Sequence, residues 1–79
     1  MNILTLKMFT KTTKNYLKYS LNINKYRICI YQCFGKYPFN VNFTYPSGYT
    51  GEIAGFLTPQ EAIDYLNKKE WWNFTKPKN

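Results

Sequence analysis

Between Pro38 and Tyr45 the chain alternates without a break, with Phe39, Val41, Phe43 and Tyr45 apolar and Asn40, Asn42 and Thr44 polar. A period of two marks a strand with one buried and one wet face. Upstream, Lys25 to Cys33 reads as another strand, with β-branched and aromatic residues at Tyr26, Ile28, Ile30 and Tyr31. Gly35-Lys36-Tyr37-Pro38 suits the hairpin loop between the two. Pro46-Ser47-Gly48 makes the next turn, and a short strand follows from Gly51 to Leu57. Gly51 and Gly55 weaken it and point to a bulge or a close backbone approach. Leu17, Tyr19, Leu21 and Ile23 alternate as well and predict a short strand over 17–23. Ahead of it, Lys7, Lys11, Lys14 and Lys18 fall at spacings of four, three and four, which would line one helix face. Thr10, Thr12 and Thr13 work against a stable helix there. Residues 1–16 are therefore expected as a mobile basic arm.

The helix is announced by Thr58-Pro59-Gln60-Glu61. Thr58 suits the N-cap and Pro59 the first helical position, while Glu61 is placed to reach back in a capping box. Leu57 and Ala62 stand where a hydrophobic staple forms. Ala62, Ile63 and Leu66 give a narrow apolar stripe, and Lys68 and Lys69 suit the C-terminal end of the dipole. Trp71, Trp72 and Phe74 follow, with one Trp expected to pack back on the sheet or the helix end. The fold class these elements predict is α+β: an antiparallel meander of three or four strands with one C-terminal helix packed on one face. Residues 17–74 form the single domain, and 75–79 a polar tail.

Composition sharpens this picture. A chain of 79 residues has room for one core, and its eight Tyr, six Phe and two Trp supply rings to fill it. Core filling is the first expectation for these rings, and exposure of some Tyr for contact or base stacking the alternative. The formal net charge is +7. Lys7, Lys11, Lys14, Lys18, Lys25, Arg27 and Lys36 meet no acid before Glu52, so the imbalance lies in the N-terminal two-thirds. Such a field attracts anionic partners, whether nucleic acid, lipid headgroups or an acidic protein surface. Cys29 and Cys33, four residues apart on one strand, lie about 13 Å from each other. That is too far for a disulfide, so free thiols and a cytoplasmic location are expected. The longest apolar run, Ile28 to Tyr31, is far too short to span a membrane. The N-terminus makes a poor signal peptide, and Met8 is an alternative start.

Chemistry is excluded more readily than it is found. Without histidine there is no Ser–His or Cys–His pair and no imidazole ligand, and two cysteines do not complete a structural zinc site. No phosphate-cradling glycine motif is present. No enzymatic role, cofactor or metal is expected. Binding has better material. With Tyr26, Ile28 and Ile30 facing the helix, the uncovered sheet face would present Arg27, Tyr31, Asn40, Asn42 and Thr44. Lys11, Lys14, Lys18 and Lys25 are expected nearby for phosphate contacts. Trp71 and Trp72 form a second candidate contact, toward protein.

The three strands followed by Gly55-Phe56-Leu57-Thr58-Pro59-Gln60-Glu61-Ala62 resemble two kinds of small DNA-binding module. These are the arm-binding domains of phage-type integrases and the plant ethylene-response-type domain. The likeness spans roughly residues 25–67 and is most specific over the helix-opening phrase. It implies a sheet laid in the DNA major groove. Those families carry several Arg on the reading face, whereas this chain has Arg27 there, with Glu52 on the third strand. The expected function is a non-enzymatic nucleic-acid-binding module. The alternative is a small adaptor or inhibitor, of phage type or an accessory subunit, docking on an acidic protein surface.

Overall fold

The structure is a computed structural model and describes residues 3–74. The polar tail expected at 75–79 therefore lies outside the described residues. Five strands, β1 (Thr10–Thr12), β2 (Lys18–Ile23), β3 (Tyr26–Gln32), β4 (Phe39–Thr44) and β5 (Thr50–Phe56), form one antiparallel meander in chain order. The helix α1 (Pro59–Lys68) packs on one face. The architecture is α+β as expected, but the sheet has five strands where three or four were predicted. The added strand is β1. The β-branched threonines that disfavour a helix at 10–13 suit an extended edge, and Thr10, Lys11 and Thr12 pair with Ser20, Tyr19 and Lys18.

Within the segment read from sequence as a mobile arm, the described residues are built into the domain through Leu4, Phe9 and β1. Leu4 and Phe9 are buried in the main core, on either side of a short 3-10 turn at Leu6–Met8. The side-chain amide of Asn67 on α1 clamps Leu4 from both sides. Its oxygen accepts from the Leu4 N–H at 2.8 Å, and its N–H donates to the Leu4 carbonyl at 2.9 Å. Sequence periodicity gave no sign of this, because the clamp joins residues 63 positions apart.

The helix forms as its sequence dictates. Thr58 Oγ1 accepts from the Glu61 N–H at 3.1 Å, with Pro59 at the first turn. Glu61 reaches back to the Leu57 N–H at 3.5 Å, one residue beyond the cap. The staple differs from expectation: Leu57 stays 51% exposed, and the preceding Phe56 buries instead, its ring 5.3 Å from that of Tyr65. Ala62, Ile63 and Leu66 form the buried stripe. Beyond the C-cap, Glu70 adopts a left-handed conformation (φ 57°) that turns the chain back. Trp71 is thereby delivered, fully buried, against Tyr26 (5.4 Å between rings) and Phe43 (6.5 Å). Inward residues Ile28, Ile30, Val41 and Phe43 complete the core.

One turn and one bulge set the register. Asn24 and Lys25 both have positive φ, 51° and 67°, the primed-turn geometry that matches strand twist in a two-residue hairpin. Between the pairs Phe39↔Phe56 and Val41↔Ile53 the ladder slips by one residue on β5. Gly55 (φ 100°) makes this bulge, and its N–H donates to Asn40 Oδ1 at 3.2 Å.

Two stability measurements follow from this packing. Leu4→Ala is expected to cost about 2–5 kcal/mol in urea unfolding, as is a chain beginning at Met8. Lys25→Gly relieves the left-handed strain of a side-chain-bearing residue and is expected to raise the unfolding midpoint by about 1 kcal/mol equivalent.

Candidate functional site

With the helix and the segments before β1 and after α1 on one face, the opposite face of the sheet is uncovered among the described residues, and the ladder registers its side chains into three rows. Thr12, Lys18, Tyr31 and Asn40 form the first row. Thr10, Ser20, Cys29, Asn42 and Glu52 form the second. Asn22, Arg27, Thr44 and Thr50 form the third. Every position in these rows is polar or cysteine, because strand alternation sends the apolar partners to the core.

Much of this polarity is spent within the face. Tyr31 donates its hydroxyl proton to the Glu52 carboxylate and also lies 3.4 Å from Asn42 Oδ1. Burial, then the hydrogen bond and negative charge of Glu52, push the Tyr31 phenol above the ordinary tyrosine range. Burial also raises the Tyr45 phenol, helped by Tyr49 and Tyr26. Asn40 holds the bulge: its oxygen accepts from Gly55, and its amide N–H donates to the Cys33 thiol sulfur at 3.3 Å. Thr44 and Thr50 share a hydroxyl hydrogen bond of 3.0 Å. Cys29 and Cys33 are free thiols.

Of the residues singled out by sequence, Lys18, Arg27, Tyr31, Asn40, Asn42 and Thr44 are brought onto this one face. Lys14 lies in the loop at one end of the sheet and Lys25 in the turn at the other. Lys11 is not part of the group. It pairs with Tyr19, whose ladder partner is buried Ile30, so its position belongs to the helix side of the edge strand. Lys18 and Arg27 stand at opposite ends of β2, because Arg27 pairs with Asn22, four residues beyond Lys18; that is about 13 Å along the strand. Trp71 is fully buried and has no surface for a partner, which leaves only Trp72 of the proposed pair.

Sequence reasoning missed Ser20, Asn22 and Thr50 on this face, and two aromatic residues at its rim, Tyr16 (50% exposed) and Phe34 (104% exposed). The strand alternation of β2 and β5 carried the first three. Phe34 sits beside Gly35 in a hairpin loop, where an apolar ring has no core to enter.

Three of the four acids lie with Lys68 and Lys69 on the helix side. Glu61, Asp64 and Glu70 lie on or just after α1, on the far side of the sheet. Glu52, the acid of the open face, is engaged by Tyr31. Among the described residues, no group of three or more His, Cys, Asp or Glu is placed to hold a metal ion, and no helix is long and apolar enough to cross a membrane.

The Tyr31–Glu52 contact has a readable pH signature. A raised folded-state value means its stabilisation is complete below the ordinary phenol value of about 10 and is lost as pH rises through the folded value. Tyrosinate absorbance is expected to show a late-ionising tyrosine that Tyr31→Phe removes. Glu52→Gln is expected to move that step down toward the ordinary range while leaving the late step of Tyr45 in place. No family model matches the chain, and no curated protein or solved structure matches it.

Proposed function

We propose that this chain is a non-enzymatic binding module that contacts nucleic acid through the open sheet face and the cations around it. The observation that carries this reading is the excess of cations at the open face. Lys18 and Arg27 lie on it and Lys14 and Lys25 at its two ends, against Glu52, whereas the three acids behind the sheet stand with Lys68 and Lys69 on the helix. A flat polar face with cations across it meets a phosphate backbone with little rearrangement. The resemblance to sheet-in-groove DNA-binding modules points the same way.

The division of labour follows from chemistry. Ten of the eleven cations are lysines, which hold phosphate as point charges rather than reading base edges as a forked guanidinium does. Asn40 and Thr44 already use side-chain atoms within the sheet, so base-edge reading falls to Arg27 and its row neighbour Asn22. Affinity in this reading is mostly electrostatic, and sequence discrimination slight.

A second reading, docking on an acidic protein surface, draws support from β5. As the last strand in the order it offers its outer edge for strand addition, and it carries neither Lys nor Pro to blunt that edge.

Binding of the purified protein to duplex and single-stranded DNA and RNA across a salt series decides between the two. Nucleic-acid binding predicts that log K falls linearly with log salt. Arg27→Ala and Lys18→Ala are each expected to reduce the slope by about 0.7–0.9. Absence of binding at low salt, or binding indifferent to salt, would overturn the nucleic-acid reading and give the same charges to an acidic protein partner.

A further inference from the structure

At the end of the open face where Lys18 and Tyr31 lie, the loops joining β1 to β2 and β3 to β4 enclose a groove of about 750 Å³ lined by Tyr16, Tyr31 and Phe34. A hollow of about 260 Å³ adjoins it, lined by Lys14 and Lys18 and sharing Asn15 and Tyr16 with the groove. Tyr16 thus borders both the aromatic groove and the lysine-lined hollow, and no acid is among the residues lining either.

The walls are pinned. The Gln32 N–H donates to the Leu17 carbonyl at 2.9 Å, fixing the end of one loop to β3. The Cys33 N–H donates to the Pro38 carbonyl at 2.6 Å, closing the base of the other. Phe34, next to the closed base of that loop, is fully exposed and contributes nothing to the core. A ring presented in this way has contact area to offer a flat partner, and the neighbouring lysines select an anionic one.

We infer that this groove is a single-strand site. An unpaired base stacks on Phe34 and Tyr16, and the adjoining phosphates lie against Lys14 and Lys18. This rests on the nucleic-acid reading above and narrows it to strands whose bases are free to stack. In a duplex the base faces are already stacked on one another, and an isolated exposed ring has nothing to receive. Lysine as the phosphate ligand and an aromatic ring as the base platform both tolerate sequence, so the site discriminates strandedness rather than base identity. Tyr31, fixed by Glu52, forms the floor.

The test compares a short oligothymidine, the same oligomer with abasic sites, and a duplex, each titrated against the wild type, Phe34→Ala, Tyr16→Ala and Phe34→Tyr. The wild type is expected to bind oligothymidine roughly ten-fold more tightly than the abasic strand. Phe34→Ala is expected to lose that margin on oligothymidine, to bind the abasic strand as the wild type does, and to leave duplex binding unchanged. Phe34→Tyr should retain the margin. Phe34 is fully exposed, so its substitution leaves the fold intact, and an unchanged urea midpoint confirms it. If Phe34→Ala and Tyr16→Ala bind every probe as the wild type does, the groove is not the site and nucleic-acid binding lies elsewhere on the face. If the wild type binds none of the probes, both this inference and the reading beneath it fall.

Discussion

A ten-residue helix is about 15 Å long and about 10 Å across. Five strands at about 4.8 Å spacing, with six or seven residues in the longer ones, make a surface of roughly 20 by 20 Å. One such helix leaves a good part of the apolar sheet face wet. The remainder has to be closed by whatever else the chain provides, and the structure uses both ends. Leu4 and Phe9 come from one side, and Trp71 and Phe74 from the other. Each is tied by a polar contact that sequence distance hides: the Asn67 amide on Leu4, and the Tyr26 hydroxyl on the Phe74 carbonyl at 3.0 Å. Sealing that single face is the condition on which the fold rests.

The same shortage explains the other face. With the helix and the described segments before β1 and after α1 committed to one side, no described element covers the second, which has to be stable in water. It is made so by hydrogen bonds within and between its own rows, from Tyr31 to Glu52, from Thr44 to Thr50, and from Asn40 to the bulge. Side chains that look like ligand-binding groups in sequence therefore hold the sheet together. The groups with capacity to spare are pushed to the rim: lysines in loops and turns, and the rings of Tyr16 and Phe34.

Placing lysines at the rim also keeps them apart. Lys14 and Lys25 are at opposite ends of the sheet, and Lys18 and Arg27 at opposite ends of one strand pair. Distributed charge of this kind gives long-range attraction without a deep anionic pocket. The left-handed backbone at Lys25 fits that picture, because a side chain is kept where glycine would be less strained.

The amino-acid sequence by itself determined the local elements. Alternation at Phe39–Tyr45 and at Tyr26–Tyr31 specified strands and their faces, since a period of two allows a single burial pattern. Thr58, Pro59 and Glu61 specified the helix start, because capping is chemistry among near neighbours. The outward set Arg27, Tyr31, Asn40, Asn42 and Thr44 was legible for the same reason. Tertiary structure alone decided the fifth strand, the docking of Leu4, which of the two Trp is buried and the exclusion of Lys11 from the open face. Each depends on contact between residues far apart in the chain, whose energy comes from covering a sheet face that exists only once the other strands have paired. Tyr16 and Phe34 belong with these: only the juxtaposition of two loops turns separate exposed rings into one groove beside Lys14 and Lys18.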